Sequence, residues 1–227
     1  MLARAVKGGQ VEGAWPWLTE RTFVLLWRMR STTKGDTTRQ IILEHAAGLA
    51  SQVGLTGLTI GALADDLQLS KSGLFAHFHS KEALQIQVLE HAGAQFIEQV
   101  IRPALQKPRG DARMRALFER WLAWEEAETL PGGCVFVAAA SELDDRLGPV
   151  RDRLVELQRQ WIEVIATSVD KGVEAGRFRP DADGQQFAQD LYGVMLAFHH
   201  HARLLGDTRA RTRARRAFDT LLRAIRR

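Results

Sequence analysis

Much of what this chain could be is excluded by what it lacks. Its 227 residues contain one cysteine, Cys134, so no disulfide can close within the chain, and a reducing, cytoplasmic compartment is expected. No apolar run approaches the roughly 18–20 residues that a membrane helix needs, so no membrane partner is expected. The stretch from Phe23 to Trp27 is too short for the apolar region of a signal peptide and has no small-residue cleavage site behind it. A single tyrosine and six prolines, beside long stretches of helical apolar period, point away from a sheet and toward an all-α protein. Also missing are a phosphate-binding glycine loop, a His-Glu-x-x-His pair and a nucleophile elbow. A lone cysteine with histidines elsewhere allows nucleophilic catalysis only in principle. No enzyme, catalytic residue or cofactor is expected.

Net charge says less than its value of +4 suggests. Residues 34–91 carry Lys34, Arg39, Lys71 and Lys81 against six acids, whereas residues 207–227 hold eight arginines and two aspartates. The placement of individual cations therefore has to carry any nucleic-acid reading.

Helical period begins at Thr37. Ile41, Ile42, His45, Ala46, Leu49, Ala50 and Val53 recur at helix spacing, and Gly54 suits a left-handed cap. Thr59 caps a second helix carrying Ile60, Leu63, Ala64 and Leu67 on one face, and Ser70 caps a third with Leu74 and Phe78 inward. Ser80 opens a fourth, long helix over 81–105 that is expected to end near Pro103 and Pro108. Further helices are expected over 111–129, 134–145, 149–175, 183–205 and 209–226. Residues 1–33 lack a sustained period. They read as an N-terminal extension, with 1–28 either disordered or ahead of the true translation start.

Two short helices joined by a tight turn and braced by a longer one make a helix-turn-helix, assigned to residues 34–91. The second helix of such a pair enters the major groove with its first residues toward base edges, here Lys71, Ser72 and Gly73. Hydroxyls and helix-start amides at Thr59, Ser70 and Ser80 suit phosphate oxygens. Lys81 sits at a helix start, where the dipole disfavours a cation, and a phosphate would resolve that mismatch. The bland reading of each cap is structural; their combination favours DNA.

The stretch "TRQIILEHAAGLASQVGLTGLTIGALADDLQLSKSGLFAHFHSKEAL" resembles the N-terminal DNA-binding domain of the TetR/AcrR family of transcription regulators. That resemblance implies that Lys71, Ser72, Gly73, Phe75 and His77 face DNA and that Thr59 and Lys81 hold phosphates. Arg39 and Ser70 complete the expected DNA-binding set. The sequence departs from the family at Phe75, where a tyrosine commonly reaches a phosphate; phenylalanine can press only against sugar or a thymine methyl. The partners so implied are a near-palindromic double-stranded operator, a second copy of the chain and a small-molecule effector.

Residues 92–227 resemble the family in architecture, a helical ligand-binding and dimerisation domain, with "GGCVFVAAASELDDRLGPVRDRL" similar to a subset of its members. The implied pocket draws on Phe118, Trp121, Trp124, Phe136, Trp161, Tyr192 and Met195, with Glu125 and Arg120 as polar contacts. Each of these could equally be ordinary core. Apolar residues of 150–175 and 183–205, such as Leu154, Leu157, Trp161, Val164 and Ile165, are expected to serve both the core and a partner face. Successive helical residues point about 100° apart, so His199, His200 and His201 cannot share one ion in a regular helix, and no metal is expected. Cys134, after Gly132 and Gly133 at a helix start, has the setting of a lowered thiol pKa, which keeps a redox- or electrophile-sensing alternative open. Its apolar neighbours argue for inert burial.

Overall fold

The computed structural model describes residues 34–227, with side chains from Thr38 onward; the expectations for residues 1–28 lie outside that range. The first helix, α1 (Lys34–Val53), starts three residues before the predicted Thr37 and buries Ile42, Leu43, Ala46, Ala47 and Ala50. It stops at Gly54, whose φ of +81° lies where glycine is favoured. Helices α2 (Ile60–Leu67) and α3 (Lys71–Phe78) are joined by Gln68, Leu69 and Ser70, and the left-handed φ of +54° at Gln68 turns the chain. All three predicted caps form: Thr59 Oγ1 accepts from Ala62 N at 3.0 Å, Ser70 Oγ from Gly73 N at 3.1 Å and Ser80 Oγ from Ala83 N at 3.0 Å.

The long helix spans 81–105 as predicted, but it is not regular throughout. It runs as α4 (Lys81–Phe96), widens into one π-helical turn (Ile97–Ile101) and resumes as α5 (Arg102–Leu105). Pro103 has no N–H for the Gln99 carbonyl four residues back, and Arg120 Nη1 donates to that carbonyl at 3.1 Å instead. Arg120, expected as a pocket contact, gives one of its guanidinium N–H groups to backbone here. Helix α6 (Asp111–Glu125) ends before the predicted Thr129, because the chain tightens into turns in which Ala127 N donates to Trp124 O at 3.2 Å and Leu130 N to Ala127 O at 2.9 Å.

Then come α7 (Val135–Leu143), α8 (Pro149–Glu174), α9 (Gly184–His199) with a second π turn (His200–Leu204), and α10 (Ala210–Ile225). Helix α8 is the hub, packing on α4, α6, α7 and α9, while α10 closes against α6 and α9. The apolar faces of these helices meet in a core that runs unbroken from Ile42 to Ile225. Among the described residues no strand forms, only one antiparallel bridge between Phe178 and Arg226. The fold is all-α, and no helix among the described residues is long and apolar enough to cross a membrane.

Candidate nucleic-acid interface

Helix α3 is held by very little. Leu74 and Phe78 are fully buried, whereas Lys71, Ser72, Gly73, Phe75, Ala76 and His77 are exposed. Eight residues are too few for a helix to persist alone, so the two anchors and the Ser70 cap must hold it in place. The outward face then presents a long cation, a hydroxyl, a bare backbone at Gly73, an imidazole and the Phe75 ring, which is 55 % exposed. Lys71 Nζ lies 3.7 Å from Asp65 Oδ1, an ion pair between two mostly exposed side chains and worth little. Gly73 has a local reason as well: a Cβ there would come within 2.9 Å of the capping Ser70 Oγ.

Two cations of the predicted set have partners inside the protein. Arg39, half-buried on α1, donates through Nε and Nη2 to Gln87 Oε1 on α4, at 3.1 and 2.5 Å. Lys81 Nζ donates to the Thr56 carbonyl at 2.6 Å. A backbone oxygen therefore resolves the cation-at-helix-start mismatch that the sequence suggested a phosphate would resolve. Thr59, Ser70 and Ser80 use their hydroxyls as acceptors for helix amides, leaving the hydroxyl protons for another acceptor.

The residues predicted for a second-domain pocket fall into two aromatic groups. Phe96 forms edge contacts with Trp124, Phe136 and Trp161, at centroid distances of 5.4, 6.0 and 4.9 Å. Phe118 stacks on Phe218 at 4.4 Å and on Trp121 at 6.4 Å, and Trp121 meets Phe198 edge-on at 5.7 Å. Trp121 and Trp124, three residues apart, thus serve different clusters. Met195 is fully buried, and the half-buried Tyr192 donates its hydroxyl to Gln158 Oε1 at 3.0 Å. The indole N–H group of Trp161 is buried without a hydrogen-bond partner.

Cys134 stands at the start of α7, as predicted, but in a buried setting. It is 2 % exposed, and burial first, with the nearby Glu125 charge second, pushes its pKa up to about 12. Backbone N–H groups of α7 pull the other way but do not prevail. Glu125 itself is buried: Oε2 accepts the Cys134 N–H at 2.7 Å, and Oε1 pairs with His199 Nδ1. The three histidines diverge, His199 inward to Glu125 and His201 toward Asp207, with His200 exposed.

Of the residues predicted to serve a partner face, Leu154, Trp161 and Ile165 are interior, and Leu157 and Val164 pack on the core. Outward-facing apolar groups lie on α9, within the predicted 183–205: Leu196 is 41 % exposed, and Gly193 and Ala197 sit beside it. Next to them a groove of about 450 Å³ between α9 and α10 is lined by Val194, Arg213, Arg216, Ala217, Thr220 and Leu221.

Sequence reasoning missed Glu142 and Gln85. Glu142 on α7 accepts from Leu55 N at 3.0 Å, Thr56 N at 2.8 Å and Thr56 Oγ1 at 2.7 Å, and buried Gln85 donates to the Leu55 carbonyl at 2.6 Å. In the acidic run Glu142-Leu143-Asp144-Asp145 nothing marks Glu142 as different from its solvated neighbours.

Residues 42–88 match the family model described as bacterial regulatory proteins, tetR family, and residues 110–218 match that of the Tetracyclin repressor-like C-terminal domain. The HTH-type transcriptional repressor NemR of Escherichia coli K12 is 26% identical over 178 residues, covering 78% of this chain and 88% of the relative. The HTH-type transcriptional repressor KstR2 of Mycobacterium tuberculosis H37Rv is 26% identical over 148 residues, covering 63% and 70% of the two chains. Among solved structures, a TetR transcriptional regulator from Chloroflexus aurantiacus superposes with a TM-score of 0.72 at 28% identity, covering 83% of this chain and 94% of that one.

Proposed function

As this chain belongs to the TetR family of bacterial regulatory proteins, we propose that it is a sequence-specific DNA-binding repressor that works as a homodimer and is released from its operator by a small molecule. The observation that carries this reading is α3: an eight-residue helix with only Leu74 and Phe78 buried and every other side chain turned outward. Lys71, Ser72 and Gly73 at its start are the base-reading residues, with Phe75 and His77 following along the groove. Thr59, Ser70 and Lys81 flank it as phosphate contacts. Arg39 acts through Gln87 as a brace for α1 rather than as a free cation.

A second copy would cover the apolar face of α9 and α10. Gly193, Leu196 and Ala197 are exposed there beside the apolar floor of the groove, an arrangement that a two-fold partner buries with the same surface. The effector belongs among the aromatic side chains of the second domain: Phe118, Trp121, Trp124, Phe136, Trp161, Tyr192 and Met195. A largely apolar ligand suits that lining, and it releases DNA only by binding one domain arrangement better than the other. The role is binding rather than catalysis, in the cytoplasm where promoters lie.

Selection of duplexes from a random pool, followed by footprinting, tests this directly. Enrichment of a near-palindromic site whose half-sites lie one helical turn or more apart is the expected result, with a steep salt dependence. A chain that sediments as a monomer at micromolar concentration, or that enriches no sequence, sinks the reading.

A further inference from the structure

We propose that Glu142, a residue of the second domain, is a positioning residue that sets operator affinity by clamping the turn ahead of the helix-turn-helix. The proposal rests on the operator reading above and names how the two domains are joined.

The turn Gly54–Gly57 links α1 to α2, and three side chains from two helices hold it. From α4, Gln85 Nε2 donates to the Leu55 carbonyl at 2.6 Å and Lys81 Nζ to the Thr56 carbonyl at 2.6 Å. From α7, the Glu142 carboxylate takes the opposite set: the Leu55 N–H at 3.0 Å, the Thr56 N–H at 2.8 Å and the Thr56 hydroxyl at 2.7 Å. Carbonyls of the turn thus point at donors of α4 and its amides at an acceptor of α7. A carboxylate alone among side chains of this length accepts all three bonds, because the amide nitrogen of glutamine cannot accept. Gly54 is part of the device. A Cβ there would lie 2.6 Å from Glu142 Oε1, at a φ of +81° that other residues rarely adopt.

Helix α7 is well placed to pass movement on. Its first residues join the aromatic group through Phe136, and the Cys134 N–H before it is tied to buried Glu125. The preceding Gly132 N–H donates to Ser51 Oγ of α1 at 2.9 Å, and a Cβ on Gly132 would collide with the Ser51 carbonyl at 1.6 Å. One short helix therefore contacts the aromatic cluster at one end and the DNA-binding turn at the other. A shift of α7 moves Leu55 and Thr56, and through them the start of α2 and the bed of α3.

The test compares full-length wild type with Glu142→Gln, Glu142→Ala and Thr56→Val. The DNA probe is the duplex that wild type selects from a random pool, titrated across a salt series, with amide exchange measured on the DNA-free proteins. For Glu142→Ala the expected result is about tenfold weaker operator binding with an unchanged salt slope. Amide exchange at Leu55 and Thr56 should be faster by about tenfold while the protein stays folded. Glu142→Gln and Thr56→Val, each keeping part of the clamp, should fall between it and wild type. A bystander acid predicts the opposite sign, since removing a negative charge near phosphates tightens binding. Equal or tighter binding, a changed salt slope, or unaltered exchange at both amides overturns the proposal. If wild type itself enriches no duplex, the operator reading fails and the proposal with it, whereas unaltered exchange removes the clamp alone.

Discussion

Two short helices of this protein are almost the same length and have opposite fates. Helix α3 has eight residues with two of them buried, whereas α7 has nine, with Val135, Phe136, Ala139 and Leu143 buried. Neither would hold its shape alone, because nucleation costs more than so few hydrogen bonds return. Helix α3 is kept by a local cap and two side chains, so most of its surface remains free to meet a partner. Helix α7 is kept by packing and by carboxylates at both ends, Glu125 on the Cys134 amide and Glu142 on the turn amides. The first keeps most of its surface exposed, whereas the second spends its surface on contacts within the chain.

The comparison breaks most readily at its anchors. Phe78→Ala should cost about 3–5 kcal/mol in urea denaturation, whereas Phe75→Ala, three residues away on the exposed face, should stay within about 0.5 kcal/mol. Similar losses for both would mean that α3 is packed all round and not available to DNA. On the α7 side, Glu125→Ala leaves the buried Cys134 N–H without an acceptor and His199 without its partner, and about 3 kcal/mol of stability should go. A melting curve like that of wild type would remove Glu125 as the tie at the start of α7.

Smaller effects separate reading from holding. Lys71→Ala should leave stability unchanged and weaken operator binding by about 1–3 kcal/mol, with relaxed sequence preference. Lys81→Ala should lower the salt slope by about one unit if its ammonium also meets a phosphate. An unchanged slope would leave Lys81 wholly to the Thr56 carbonyl. The pH response of Cys134 bears on stability and not on binding. Its folded pKa is raised from 9.0 to about 12, so the protonated thiol is favoured in the folded state. That contribution is fully present below pH 9.0 and is lost as pH rises toward about 12. Denaturation series from pH 8 upward should show a decline that Cys134→Ala flattens, and the native thiol should resist alkylation at pH 8. Rapid alkylation of folded protein would return Cys134 to the candidates for sensing.

Much of α3 was legible from the chain itself. Thr59, Ser70 and Ser80 each precede a helix whose amide they accept three residues on, and Leu74 and Phe78 are four apart, so a window of a few residues contains the whole signal. The site around α7 was not. For Cys134 the sequence showed both a helix start and apolar neighbours, which pull the thiol pKa in opposite directions, whereas the buried Glu125 charge beside it comes from another helix. Trp121 and Trp124 looked like one face, yet the partners that divide them, Phe198 and Phe96, lie far away in sequence on separate helices.

By itself, then, the sequence determined the helices, their caps and the polar outward face of α3, since apolar period and Ser/Thr capping act over three or four residues. Tertiary structure decided which group each charge meets within the chain. Lys81 ends on a carbonyl, Arg39 on Gln87, Arg120 on the carbonyl orphaned by Pro103, and Glu142 on a turn 86 residues away from it. A charged side chain is satisfied by whatever group packing brings within about 3 Å, and that group has no fixed spacing along the chain.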